Sequence, residues 1–226
     1  MKNLKLVQSG IDTRPFLEEI EANPESWYGD TTRQDLITTQ RDTKAIALRA
    51  HADTAAQDAR VRRAKPFKYL GKPSPMAASF PHACNYVEEL VGSMQGTMGR
   101  AVLTNLRPQG KICPHIDDGL YWLLRDRYHL VIKSVKGSYF KVGGEEVRMQ
   151  EGELWWFDPT VSHEAFNDSD QDRIHIIVDV MSKQSMGTFR RRLMRSPLRG
   201  VRSFYKAAVR GTAWPIKERF FQPSTT

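Results

Sequence analysis

Cysteine is scarce in this chain: Cys84 and Cys113 are the two in 226 residues. A disulfide-stapled scaffold is thereby excluded, and two unpaired thiols fit a reducing compartment. Long apolar runs are also missing. None approaches the roughly 20 residues a membrane-crossing helix needs. Met1 to Ser9 lacks the apolar stretch of a secretory signal. The expected location is therefore cytoplasmic, with no membrane span. No internal repeat or low-complexity block occurs, so neither an array nor a disordered tract has to be accommodated.

Acidic residues are the minority charge, 26 Asp and Glu against 34 Lys and Arg, which leaves a formal net charge of +8. Much of the excess follows residue 189, in Phe189-Arg190-Arg191-Arg192-Leu193-Met194-Arg195 and then Arg199, Arg202, Lys206 and Arg210. Such a tail can bind nucleic acid, an acidic protein or peptide, another polyanion or an anionic membrane surface. The favoured reading is one or two short amphipathic helices whose apolar stripe packs on the core while the arginines stay solvated. With 40% hydrophobic and 27% charged residues, the chain reads as one soluble domain of moderate size.

The N-terminal third is read as helical or irregular over residues 1–97. Asp12 and Pro15 precede Phe16, Leu17 and Ile20 at helical spacing, and Asn23-Pro24 stops the run. Trp27 and Tyr28 are expected to pack under a sheet. Residues 44–50 can form a strand, 51–64 a helix or excursion, and the proline-rich 65–81 a connection bordering a pocket. Tyr86, Val87, Leu90, Val91 and Met94 predict a core-facing helix over 82–95.

From residue 98 the periodicity changes. Short extended segments at 101–107, 128–135, 138–142, 145–149, 153–157, 164–167 and 173–180 alternate with turns, including the tight-hairpin signal Gly143-Gly144. The predicted class is mainly β with flanking helices, a double-stranded β-helix of the jelly-roll or cupin-like barrel kind, with its core over 98–183 and a basic helical extension over 184–226.

Chemistry enters in Pro114-His115-Ile116-Asp117-Asp118 and Val161-Ser162-His163-Glu164. Two imidazoles and a carboxylate, one pair spaced i, i+2 and the third residue far along the chain, form the ligand set of a facial triad for non-haem Fe(II). On an extended strand His115 and Asp117 share a face, and His163 on another strand completes the set. These ligands suit Fe(II) or Mn(II) better than a structural zinc site. Cys113 falls on the same face of that strand as a wall or core residue. His51 and His82 have no partner pattern and are not assigned to the metal. Arg173 opens the alternating run Arg173-Ile174-His175-Ile176-Ile177-Val178-Asp179. Its planar fork could anchor a carboxylate, or pair at the surface with Asp170 or Asp172.

Taken together, these segments resemble the aspartyl/asparaginyl β-hydroxylase-like branch of the Fe(II)- and 2-oxoglutarate-dependent dioxygenases. The resemblance rests on Gly110 to Asp117, Arg127 to Val131, Gly152 to Asp158, His163 to Asn167 and Arg173 to Asp179. It implies a single dioxygenase domain over 1–183, with His115, Asp117 and His163 as iron ligands and Arg173, Arg127 and His129 as contacts of 2-oxoglutarate. O2 would be the second cosubstrate, with succinate and carbon dioxide formed as a C–H bond is hydroxylated. Asn167 and Trp156 are candidate lining residues. Some members acting on epidermal-growth-factor-like domains have glycine where this chain keeps Asp117, and a carboxylate there also argues against halogenation. The favoured substrate is a free amino acid or small derivative. The alternatives are a protein Asp, Asn or Arg side chain, or a non-oxygenase cupin-type isomerase or metal-binding protein.

Overall fold

The computed structural model describes residues 1–29, 31, 35, 38–50 and 71–195. The expected excursion at 51–64, residues 65–70 of the proline-rich connection and the tail beyond 195 lie outside the described residues.

Eleven strands occur among the described residues: β1 Leu4–Gln8, β2 Thr43–Ala50, β3 Lys72–Pro73, β4 Thr97–Leu106, β5 Gly110–His115, β6 Asp126–Lys133, β7 Ser138–Val142, β8 Glu145–Val147, β9 Leu154–Phe157, β10 His163–Asn167 and β11 Arg173–Met181. They form two antiparallel sheets. The larger has the order β1-β9-β6-β11-β4-β2-β3 and the smaller β5-β10-β7-β8. The sheets face each other across a core without closing into one hydrogen-bonded cylinder, so the architecture is of the double-stranded β-helix kind.

Alternation along the strands makes the layers. In β11, Ile174, Ile176, Val178 and Val180 point to one side of the large sheet, together with Leu103 of β4 and Tyr128, Leu130 and Ile132 of β6. Helices Arg14–Ala22 and Pro81–Ser93 cover that side through Phe16, Ile20, Ala83, Val87 and Val91. On the inner side, Leu106, Val131, Trp155 and Phe157 meet Phe140, Val142 and Ala165 of the small sheet. Burying a side chain of this size contributes about 1.5–3 kcal/mol, so these two apolar layers dominate the stability.

Gly143 and Gly144 adopt φ of 55° and 87° and close the two-residue β7–β8 hairpin, the backbone that a residue with a Cβ enters least readily. Trp27 is buried as expected, whereas Tyr28 is 67% exposed and receives the Lys44 ammonium on its hydroxyl and ring. The Leu4-Lys5-Leu6 alternation of β1 is not matched by burial, since only Leu4 of its five residues is buried, and pairing with β9 is what defines the strand.

Helix Lys183–Arg195 packs against the strands through an inward arginine. Arg192 is fully buried: Nη2 donates to Asp126 (2.6 Å), Nε to Asp158 (3.0 Å) and Nη1 to the Arg125 carbonyl (2.7 Å). One tail arginine is thus part of the core rather than solvated.

Candidate metal centre and anion pocket

Three strand ends and one loop build the centre. His115 ends β5 and His163 begins β10, and the two are paired across the ladder. Between that pair and the next, Ile112 with Ala165, β5 holds two residues where β10 holds one. The bulge falls at Cys113 and Pro114. Bulges re-aim side chains, and here one turns His115 to the same side as Ile112. Strict alternation, which would have grouped His115 with Cys113, therefore does not apply.

Asp117 lies beyond the end of β5, in a loop held by its own N–H to the Pro159 carbonyl (3.0 Å). The strand geometry expected for the His115/Asp117 pair is thus replaced by a strand end plus a tethered loop. The result is nonetheless convergent, since one donor atom from each of His115, Asp117 and His163 lies within 4.8 Å of the others.

Backbone bonds orient both rings. Nδ1 of His115 donates to the Cys113 carbonyl (2.8 Å) and Nδ1 of His163 to the Val161 carbonyl (2.9 Å). A carbonyl bond at Nδ1 turns Nε2 towards the centre, and the carbonyl partner is the usual means of fixing a metal-binding imidazole. Burial pushes the His163 imidazolium down to about 4, against a smaller opposing pull from Asp117, so the ring is neutral at physiological pH. A donor set of two imidazole nitrogens and a carboxylate fits a divalent ion such as Fe(II).

Behind Asp117 stands a ladder of charge. Nη1 of Arg127 donates to Asp117 Oδ2 at 2.5 Å, and its Nε and Nη2 donate to Asp179 at 2.8 and 3.3 Å. Asp179 is buried and also accepts from the Tyr121 hydroxyl (3.1 Å) and from Nε of Arg100 (3.4 Å). Burial pushes its carboxyl up, but Arg127 and Arg100 outweigh this and hold it below the usual carboxylate range. The guanidiniums of Arg127 and Arg100 lie on the Trp122 ring, 4.2 and 4.6 Å from its centre. Arg127, expected on the cosubstrate, thus has its donors on two carboxylates in this structure.

Further along the inner face the character changes. Rows of directly paired residues cross the large sheet: Ala47, Val102, Ile177 and His129, then Ala45, Thr104, His175 and Val131, then Thr43, Leu106 and Arg173. Ala45, Ala47, Val102, Thr104 and Ile177 are only partly buried, so small side chains leave this stretch accessible. Arg173 at its end is 7% exposed. Among the described residues it has no carboxylate partner, neither Asp170 nor Asp172, and burial alone lowers its guanidinium to about 10. A buried cation without a counter-ion is costly.

His129 is buried against Phe140, Phe157 and His175. Of the other candidates, Asn167 donates to the carbonyls of Leu106, Arg107 and Gln171 and secures a turn. Trp156 faces the helix-covered layer instead of the centre. His82 sits against Phe16, away from the triad. Sequence reasoning missed Asp179, Tyr121, Trp122 and Arg100. For Asp179 a signal was present: in β11 the polar Arg173, His175 and Asp179 occupy alternate positions of an otherwise apolar strand, which marks the inner face as a site.

Comparison with known proteins adds the following. The family model for aspartyl/asparaginyl beta-hydroxylase matches residues 30–183. No curated protein matches the chain. Among solved structures, a viral collagen prolyl hydroxylase from Paramecium Bursaria Chlorella virus-1, in complex with 2-oxoglutarate, aligns at a TM-score of 0.49 and 8% identity, covering 80% of this chain and 96% of that one. The non-haem monooxygenase ThoJ, as a nickel complex, aligns at 0.47 and 8% identity, covering 80% and 74%. A predicted oxalate decarboxylase from Thermotoga maritima aligns at 0.31 and 15% identity, covering 42% and 73%.

Proposed function

The chain belongs to the aspartyl/asparaginyl β-hydroxylase family, and on that premise we propose that it is an Fe(II)- and 2-oxoglutarate-dependent oxygenase that hydroxylates an unactivated C–H bond of a free amino acid or small derivative. The observation that carries this reading is Arg173, a buried guanidinium without a carboxylate partner among the described residues, on the inner sheet face near the converging His115, Asp117 and His163. A second cation of this kind has no use in a simple metal-binding cupin. It suits a small dicarboxylate whose other end reaches the metal.

In this reading His115, Asp117 and His163 hold iron, which with 2-oxoglutarate and O2 supplies the oxidising chemistry. The chain's own residues bind and orient. Arg173 receives the distal carboxylate through its two-pronged fork, and His129, close to Arg173, contacts the same molecule. Arg127 carries Asp117 on a partly buried ion pair and so positions a metal ligand, with its Nη2 the arm nearest to spare for the cosubstrate. The small, partly exposed side chains of Ala45, Ala47, Val102 and Thr104 give the cosubstrate room.

The test is succinate formation from 2-oxoglutarate by purified protein with Fe(II) and ascorbate, against a panel of free amino acids, peptides bearing Asp, Asn or Arg, and oligonucleotides. Turnover stimulated by free amino acids is expected, and stimulation by peptides alone would move the substrate to a protein side chain. His115→Ala and His163→Ala should abolish iron binding and turnover. Arg173→Lys, which puts a point charge in place of a fork, should raise the 2-oxoglutarate requirement about tenfold. Iron-loaded protein without any turnover of 2-oxoglutarate would refute the reading in favour of a cupin-type binding or isomerase role.

A further inference from the structure

His175 on β11 and His129 on β6 lie on adjacent strands and the same inner face, in neighbouring rows. Their Nδ1 atoms are 3.4 Å apart, with the rings nearly perpendicular at 85°. Both side chains are buried, and the Nε2 atom of each is buried without a hydrogen-bond partner among the described residues. Burial, reinforced by the nearby Arg173 for both rings and by Arg127 for His129, drives both well below the ordinary histidine range. Both are therefore neutral.

A neutral imidazole has one N–H and one lone pair. Two such rings meeting Nδ1 to Nδ1 can share a hydrogen bond in one of two ways. If His175 donates, the His129 proton must sit on Nε2. If His129 donates, its Nε2 is a bare lone pair. The two orphaned Nε2 atoms are thus one donor and one acceptor, and the bond between the rings decides which is which. Arg173, the cation both rings sense, selects an anionic occupant, and an anionic oxygen accepts and never donates.

We propose that His175 is a positioning residue that donates from Nδ1 to Nδ1 of His129 and thereby holds His129 as an Nε2–H donor for the carboxylate received by Arg173. The carboxylate then takes two bonds from the guanidinium and one from His129, in a pocket where an ordinary histidine would divide its proton between both nitrogens. This rests on the proposed use of Arg173 and His129 for 2-oxoglutarate. The inter-ring bond itself does not, because it exists in the free protein.

The experiment is two-dimensional 15N–1H spectroscopy of the full-length Zn(II)-loaded protein, reading the protonation of each ring nitrogen of His129. A 2-oxoglutarate titration of the same sample follows. The expected pattern is a lone pair on His129 Nδ1 and a proton on Nε2, and the opposite pattern overturns the proposal. In His175→Leu, His129 should show mixed tautomers, and the 2-oxoglutarate dissociation constant should rise five- to tenfold with Zn(II) affinity unchanged. His175→Asn, whose amide nitrogen can replace the Nδ1–H donor, should restore most of the loss. Unchanged 2-oxoglutarate affinity in His175→Leu overturns the proposal. If wild-type protein binds no 2-oxoglutarate, the functional reading fails, while the tautomer of His129 still decides the inter-ring bond. Should the leucine variant not fold, the wild-type spectrum and the asparagine variant carry the test.

Discussion

Asp179→Asn is the perturbation that interrogates the centre without touching metal or cosubstrate. Asp179 is 1% exposed, and through two oxygens it accepts from Arg127 Nε and Nη2, the Tyr121 hydroxyl and Arg100 Nε. Asparagine keeps the shape and one acceptor oxygen but removes the charge. If the carbonyl stays opposite Arg127 Nε, the new amide group faces the other three donors, which all converge on Oδ2 in the native protein. Leaving a buried guanidinium without its counter-charge costs about 3–5 kcal/mol. The remaining oxygen and the Asp117 contact of Arg127 place this variant at the lower end, about 3 kcal/mol. For a chain of this length that corresponds to a fall in Tm of about 6–12 °C.

The functional consequence is separate. Once Arg127 loses its anchor, Asp117 loses the group that aims it, and metal affinity should drop about 10- to 100-fold. Competition for Mn(II) against a chromophoric chelator measures the second effect, and calorimetry the first. Loss of stability with unchanged Mn(II) affinity would refute the idea that Arg127 transmits order from Asp179 to Asp117. The absence of both effects would refute the energetic role of the ladder altogether.

Other outcomes follow from the same structure. Because His163 is depressed from an ordinary value near 6.5 to about 4, the unfolded chain binds its proton first. Stability is therefore full above about pH 6.5 and is lost as pH falls towards about 4, by about 3 kcal/mol from this residue at about 1.4 kcal/mol per pH unit. Chemical denaturation of metal-free protein at pH 7 and pH 4.5 should show this loss, His163→Gln should reduce it, and a flat profile would contradict it. His129 and His175, also depressed by burial, act in the same direction. Arg192→Leu should destabilise by about 3–5 kcal/mol, since it removes the buried counter-charge of Asp126 and one partner of Asp158. A loss under about 1 kcal/mol in urea denaturation would mean that helix Lys183–Arg195 is not held through this arginine. Chelator treatment should leave secondary structure intact while abolishing turnover, because the triad is supported by backbone carbonyls and Arg127 and not by the metal alone. Unfolding on chelation would show the opposite.

The sequence by itself determined the strand-rich core, because residues such as Ile174, Ile176 and Val178 alternate with Arg173, His175 and Asp179, and alternation is the signature of a sheet with two different faces. It also supplied His115, Asp117, His163 and Arg173 as candidates, whose residue types carry their chemistry wherever they sit. Only the tertiary structure decided how they meet. The bulge at Cys113 and Pro114 and the tethered loop of Asp117 are not encoded in a two-residue period; they arise from pairing with β10 and from a bond to Pro159. The same holds for the partners of Arg127 and Arg192. A guanidinium in a sequence reads as a solvated surface charge, and it becomes an internal strut only where strands far apart in the chain bring carboxylates to it. Tyr28 shows the converse, an aromatic read as core that the fold turned outward onto Lys44. Local pattern selects the element and the chemistry available, whereas burial and partnership are properties of long-range packing, and the roles of Arg127, His175 and Asp179 belong to the second kind.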